Sequence, residues 1–345
     1  MDMNQKKDYL AKLRLAGAKE KPELSYGIKI IFFGTPEFAK IVLGKIIKTP
    51  SFKDKKAGHW KFEILAAVTA PDKPVGRKRI PTPPPVKVLA QENNIPVLQP
   101  TDLTDQKFAR QLKSFSPDLI VVAAYGKIIP KNILDIPKFG SLNIHPSLLP
   151  KYRGASPIQS AILNGDKETG VTIMLMDEKM DHGDIISKFQ FPISNDDTYE
   201  FLSKKLAELG AELLIKSIPD YVAGKIKPIE QEHNKATYCK IIKKNDGKID
   251  WSKSAQEIYN QWRAFYPWPG VFFQSTINNQ QITIKLIEIN LSDVKNEGKN
   301  PGEFFVKNKH LYIACGQETV LEIKKLQPAG KKVMTAKEFV NGYLK

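Results

Sequence analysis

The sequence predicts an α/β protein: a domain built on a mostly parallel sheet with an added hairpin, followed by a small antiparallel β-barrel. Three observations predict it. Strand-like apolar runs alternate with helical patterns through the first two-thirds of the chain. A long amphipathic stretch closes that alternation near residue 224. Short strand candidates separated by Asn, Gly and Lys clusters fill the remainder. At 345 residues the chain exceeds the usual single-domain size, and 41% hydrophobic residues can fill two cores.

The elements follow in order. GIKIIFFG (27–34) is a continuous apolar run and reads as a buried parallel strand. Thr35 is placed to cap, and Pro36 to open, a helix through FAKIVLGKII. FEILAAVTA (62–70) is the next strand, and VKVLAQENN then IPVLQP continue the alternation. Thr104 is a candidate cap for a helix through KFARQLKSF. DLIVVAAYG (118–126) is the most strand-like segment, and SLNIH (141–145) follows. Such a series gives a Rossmann-like sheet. GVTIMLMDEKMDHGDIISKFQFPI reads as two strands around a charged turn, a hairpin on the sheet edge. TYEFLSKKLAELGAELLIKSI spaces its apolar residues at three and four and ends a first domain spanning 27–224. Residues 225–248 are polar and read as a linker, and 249–345 form an OB-like barrel. Residues 1–26 mix both charge signs without an apolar stretch, which suits an N-terminal extension rather than a signal or transit peptide.

Composition narrows the function. The 53 Lys and Arg against 37 Asp and Glu give a net charge of +16, which favours a polyanionic partner. A solvated, simply basic surface is the plain alternative. Cys239 and Cys315 lack any metal or disulfide spacing, so a reducing, cytoplasmic setting is expected. No apolar run reaches the roughly 20 residues needed to span a bilayer, and no membrane partner is expected.

Side chains two apart on a strand share a face, so Asn143 and His145 project together at the C-terminal end of their strand. Open α/β sheets place ligands at that end. An amide donor beside an imidazole can hold an oxyanion and move a proton. The turn MDEKMDHGD offers Asp177, Asp181, His182 and Asp184, and one of its carboxylates could orient the imidazole. Asp and Gly are also what a turn selects, so spacing leaves both readings open. His145, Asp181, His182 and Asp184 lack the spacing of a metal site, and no metal is expected. FFGTPEFA lacks the G-x-G-x-x-G dinucleotide fingerprint, which disfavours a nicotinamide enzyme. The long connection PDKPVGRKRIPTPPPVK (71–87) carries Lys73, Arg77, Lys78 and Arg79 and is stiffened by prolines. Adjacent cations at a sheet mouth suit phosphate binding, although a solvated loop would look the same.

SLNIHPSLLPKYRG followed by ETGVTIMLMDEKMDHGD resembles the core of the folate-dependent formyltransferases. FFGTPEFA, PDKPVGRKR, RAFYPWPG (263–270) and LQPAGKKVMTAKEFVNG (326–342) are similar to the branch that formylates methionyl initiator tRNA. The likeness runs from about residue 27 to the end. It implies 10-formyltetrahydrofolate as co-substrate and initiator tRNA as acceptor, and a monomer is expected. It implies that Asn143, His145 and Asp181 are the catalytic trio. It further implies that Ser147, Leu148, Leu149 and Pro150, with Tyr125, Gly126, Lys127, Ile128 and Ile129, receive the folate. Lys73, Arg77, Lys78 and Arg79 would meet the tRNA acceptor arm. Pro146 stands where some members have glycine, and Pro83 to Pro85 stand where Pro-Ser-Pro is familiar. The nearest rival is a related enzyme acting on an amino-sugar nucleotide.

Overall fold

The computed structural model describes residues 27–344 apart from 51, 55–57, 77, 278 and 279. The N-terminal extension 1–26 and Arg77 therefore lie outside the described residues. By compactness the chain separates into two units. One holds the residues up to 153 with 170–190 and 204–237, and the other holds 154–169, 191–203 and the chain from 238 onward.

The first unit is organised by a seven-stranded sheet. Its strands are β1 (Ile28–Gly34), β2 (Phe62–Val68), and, beyond a small hairpin of β3 (Lys73–Val75) and β4 (Ile80–Thr82), β5 (Val97–Leu98), β6 (Leu119–Ala123), β7 (Ser141–His145), β8 (Glu168–Leu175) and β9 (Ile185–Pro192). Across the sheet the order is β9-β8-β7-β6-β1-β2-β5. β1 runs parallel to β2 and β6, β6 parallel to β7, and β2 parallel to β5, while β8 is antiparallel to β7. β7 is buried throughout although Ser141, Asn143 and His145 are polar, and the continuous apolar runs β1 and β6 are central strands, all of β6 and all of β1 except Lys29 being buried. That is what burial on both faces selects.

The chain moves outward from β1 to β2 and β5, then returns to place β6 on the other flank of β1. The order reverses between β1 and β6, and the C-terminal ends of β1, β6 and β7 lie side by side at that switch point. Thr35, just after β1, bridges it: its Oγ1 donates to the Tyr125 carbonyl at 3.4 Å and accepts from the Ala70 amide at 3.3 Å. Its hydroxyl is thus engaged across strand ends, and helix α1 (Glu37–Lys48) starts with Pro36 at its N-cap and no side-chain cap. Helix α2 (Pro85–Glu92) opens on proline, whose fixed φ suits the first helical turn. The next helix, α3 (Gln106–Ser114), is capped by Asp105, whose Oδ1 accepts from the Lys107 amide at 2.8 Å. Thr104 bonds Asp102 instead. α4 (Pro157–Leu163) follows β7, and α5 (Tyr199–Val222) follows β9. In the first unit α5 passes so close to the sheet at Gly210 that a Cβ there would lie 2.7 Å from Ile144 and 3.0 Å from Val171. Only glycine permits that approach over β7 and β8.

The second unit is built on a curled antiparallel sheet of β10 (Val271–Ile277), β11 (Gln280–Ser292), β12 (Phe304–Lys307), β13 (His310–Ala314) and β14 (Val320–Pro328), in the order β10-β11-β14-β13-β12. The short β15 (Met334–Thr335) pairs with β14. Helix α6 (Ala255–Phe265) begins with a capping box in which Ser254 and Glu257 satisfy each other's amides. It buries Arg263, whose Nη1 donates to the carbonyls of Ser194 at 2.8 Å and Asp197 at 3.0 Å and whose Nη2 donates to Asn260 at 2.7 Å. Burial lowers the guanidinium pKa from its usual value; the two carbonyls and Asn260 engage Nη1 and Nη2, while Nε is buried without a hydrogen-bond partner among the described residues. Helix α7 (Ala336–Tyr343) ends the chain and anchors by Phe339, which is fully buried against Phe304.

Candidate active site

β7 positions the first two groups. Asn143 and His145 are two apart on one strand face, and both are buried, at 9% and 4% exposure. Antiparallel β8 fixes them from the side, Thr172 standing opposite His145 and Met174 opposite Asn143. The chain leaves β7 through Pro146 into a turn held internally. Thr172 Oγ1 donates to the Ser147 carbonyl at 2.7 Å and accepts from the Leu149 amide at 3.1 Å, while Ser147 Oγ donates to the Lys151 carbonyl at 2.6 Å. Lys188 Nζ donates to the Leu149 carbonyl. Burial lowers the pKa of this ammonium, with Glu232 acting against the shift.

That turn returns the Tyr152 carbonyl to the imidazole, 2.9 Å from His145 Nε2. A carbonyl only accepts, so the partner assigns the ring proton to Nε2. Nδ1 is then the free position of the neutral ring, and it faces Asp181 Oδ1 at 3.5 Å. The same oxygen accepts from Asn143 Nδ2 at 3.4 Å. An amide donor, an imidazole nitrogen and a carboxylate oxygen therefore converge within one small volume at the C-terminal sheet edge.

The turn between β8 and β9 sorts its acids and imidazoles. Asp181 turns toward β7 with a left-handed backbone, φ +49°. Asp177 pairs with His182 at 2.6 Å. Two residues on, Gly183 packs so tightly that a Cβ would lie 1.8 Å from the Leu175 carbonyl. Among the described residues, no group of three or more His, Cys, Asp and Glu side chains could hold a metal ion.

The residues implied to receive folate fall into two sets. Ser147 and Leu149 are fully buried and bonded as above, while Leu148 and Pro150 are partly exposed. In the loop after β6, Tyr125 and Ile129 are buried, whereas Gly126, Lys127 and Ile128 face outward beside the switch point. Ile128 is 76% exposed. Ala124 at φ +45° and Gly126 at φ +81° turn that loop sharply, and Lys127 Nζ ties it to the Thr101 carbonyl at 2.8 Å. The Tyr125 ring packs edge-on to Phe33, and its hydroxyl is buried with no hydrogen-bond partner among the described residues. Burial pushes its pKa up to about 12.

The basic connection is a two-stranded hairpin, β3 against β4, rather than an irregular loop. Lys73, Lys78 and Arg79 are exposed on it, and Arg77 is the member outside the described residues. At its base Asp72 pairs with Lys87 at 2.8 Å and accepts from Gln99 at 2.9 Å. These bonds hold the Asp72 pKa below the usual carboxylate value, Gln99 contributing most.

Sequence reasoning missed the supporting groups. Tyr152 acts through its carbonyl, which no side-chain pattern reveals. Gln231 lies in the polar stretch after α5, yet it is 3% exposed and donates to the carbonyls of Asp181 at 2.9 Å and Gly183 at 2.7 Å. Arg153 is 2% exposed and bonds Gln231 Oε1 through Nε at 3.2 Å and Nη2 at 2.8 Å. A basic residue in KYRG looks solvent-facing, and only the fold reveals this guanidinium as internal.

Comparison with known proteins fits this arrangement. The formyl transferase family matches residues 29–218, and the formyl transferase C-terminal domain matches 241–344. A methionyl-tRNA formyltransferase of Halalkalibacterium halodurans is 44% identical over 316 residues, 91% of this chain and 95% of the relative. Its counterpart in a Geobacillus species is 45% identical, over 91% of this chain and 94% of the relative. Solved structures share the fold at lower identity. A sugar 3N-formyl transferase in the presence of dTDP and 5-N-formyl-THF superposes with a TM-score of 0.59 at 24% identity, covering 89% of this chain and all (100%) of that one. An N-formyltransferase from Helicobacter canadensis also gives 0.59 at 24%, over 86% and 98% of the two chains. On its sequence, on both family matches and on the fold, the chain belongs to the formyl transferase family, in its methionyl-tRNA formyltransferase branch.

Proposed function

We propose that this enzyme transfers a formyl group from 10-formyltetrahydrofolate to the α-amino group of methionyl initiator tRNA, at the site formed by Asn143, His145 and Asp181. The observation that carries the reading is the convergence of Asn143 Nδ2 and His145 Nδ1 on one side of Asp181 Oδ1, at 3.4 and 3.5 Å. Attack of the amine on the formyl carbon forms a C–N bond and drives charge onto the formyl oxygen. Asn143 Nδ2 is a donor for that oxygen, and His145 becomes a second when Nδ1 is protonated. Nε2–H is committed to Tyr152, so a proton on Nδ1 makes the ring cationic. The carboxylate of Asp181 stabilises that charge and accepts the proton lost by the attacking amine. Collapse of the intermediate breaks the bond to the folate nitrogen, which takes up the proton held by Asp181 as it leaves and so restores the carboxylate. No covalent bond to the protein is required.

The exposed loop 126–128 and the partly exposed Leu148 and Pro150 border this point and are suited to the folate ring. The basic hairpin emerges from the same C-terminal sheet edge, after β2, and with Lys73, Arg77, Lys78 and Arg79 is suited to tRNA phosphates. We place the enzyme in the cytoplasm as a monomer, a state that size-exclusion chromatography checks.

Formyl transfer to methionyl initiator tRNA, with an amino-sugar nucleotide as the control acceptor, tests the proposal. Asn143→Ala and His145→Ala each lower turnover by about 10² to 10³, with tRNA affinity within about twofold. Activity confined to the sugar nucleotide would replace the acceptor, and full turnover in both variants would displace the site.

A further inference from the structure

Arg153, Gln231 and the Asp181 turn form one buried chain of donors. The Arg153 guanidinium directs Nε and Nη2 at the single oxygen Oε1 of Gln231, at 3.2 and 2.8 Å. That contact fixes the amide's orientation, because arginine only donates. The amide nitrogen is thereby aimed the other way, and its two hydrogens meet the carbonyls of Asp181 and Gly183 at 2.9 and 2.7 Å. Both side chains are buried, at 2% and 3% exposure. The guanidinium has a further anchor, since its Nη2 lies 2.8 Å from His233 Nδ1. His233 stacks on His182 at 4.0 Å and 7°, and His182 is bonded to Asp177. The turn is therefore gripped at Asp177, Asp181 and Gly183.

Asp181 needs such a grip. Its φ of +49° is a conformation that a residue with a side chain adopts at a cost. Relaxation of that backbone would swing its carboxylate away from Asn143 and His145. We propose that Gln231, held by Arg153, is the positioning residue that fixes Asp181 in its strained conformation and so sets the geometry of the reaction. This rests on the reading of Asp181 as a reacting group. Gln231 acts on the backbone of the turn, through the carbonyls of Asp181 and Gly183, and displacements of about 1 Å at a reacting group can cost about 10²-fold in rate.

The test uses the full chain with methionyl initiator tRNA and 10-formyltetrahydrofolate. Gln231→Leu removes both donors. Gln231→Glu keeps the shape and the Arg153 contact but turns an oxygen on the two carbonyls, so it decides the matter if the leucine variant does not fold. Each folded variant is expected to lose tenfold or more in kcat, about the scale of a displaced reacting group, with KM for both substrates within about threefold. The same substitution in an Asp181→Ala background is expected to lower kcat no further, since the residue that it positions is gone. Wild-type kcat in the single variants, or equal fold losses in the two backgrounds, overturns the proposal. A separate outcome, unchanged kcat in Asp181→Ala alone, overturns the assignment of Asp181 instead.

Discussion

Tyr125 illustrates how much one side chain can state. Its phenol is buried at the switch point, packed on Phe33, and its hydroxyl has no hydrogen-bond partner among the described residues. Its pKa is raised from 10.0 to about 12 by burial, so the neutral phenol favours the folded state. This contribution is complete below pH 10 and is lost as the pH climbs through about 12. Tyr125→Phe is therefore expected to flatten the fall of stability above pH 10 while changing stability at neutral pH by no more than about 1 kcal/mol; alkaline urea titrations of the two proteins measure it. Asn143 and His145 were legible from their shared strand face. The placement of Asp181 beside them, rather than Asp177 or Asp184, was not, because a choice between turn residues depends on backbone angles that sequence spacing does not encode. Gln231 was hidden for a related reason: a lone amide in a polar segment is indistinguishable from a solvated one until the fold closes over it.

At the scale of elements, apolar runs identified β1 and β6 because burial on both faces disfavours polar positions, whereas β7 keeps three buried polar residues, Ser141, Asn143 and His145. Caps were less legible, since Thr35 and Thr104 each had competing partners that a linear reading cannot see. The capping boxes offer direct checks. Ser254→Ala is expected to cost about 1 kcal/mol, as is Thr335→Ala at the start of α7. Hydrogen bonds from Ser254 and Thr335 hold Glu257 and Glu338 below the usual carboxylate range. The stabilisation that they contribute is present above that range and is lost as pH falls through the depressed values. Phe339→Ala removes a fully buried ring from between Phe304 and Tyr343 and is expected to cost about 3 to 5 kcal/mol in equilibrium unfolding.

For the molecule as a whole, the charge of +16 makes salt the natural probe of its partner. Affinity for tRNA is expected to fall log-linearly with salt concentration, and Arg77→Ala, Lys78→Ala and Arg79→Ala are each expected to shallow the slope by about one for every phosphate left without its cation. Filter binding across a salt series measures this, and unchanged slopes would remove the hairpin from the tRNA interface. Arg263 carries a different consequence. It lies 66 and 69 residues beyond the carbonyls of Asp197 and Ser194 that receive its protons. During synthesis those acceptors leave the ribosome well before their cation, so this part of the protein completes itself only late in translation. A gene fragment starting at residue 241 encodes the arginine without these two carbonyl acceptors, and chimeras between relatives have to exchange the 194–197 segment together with α6.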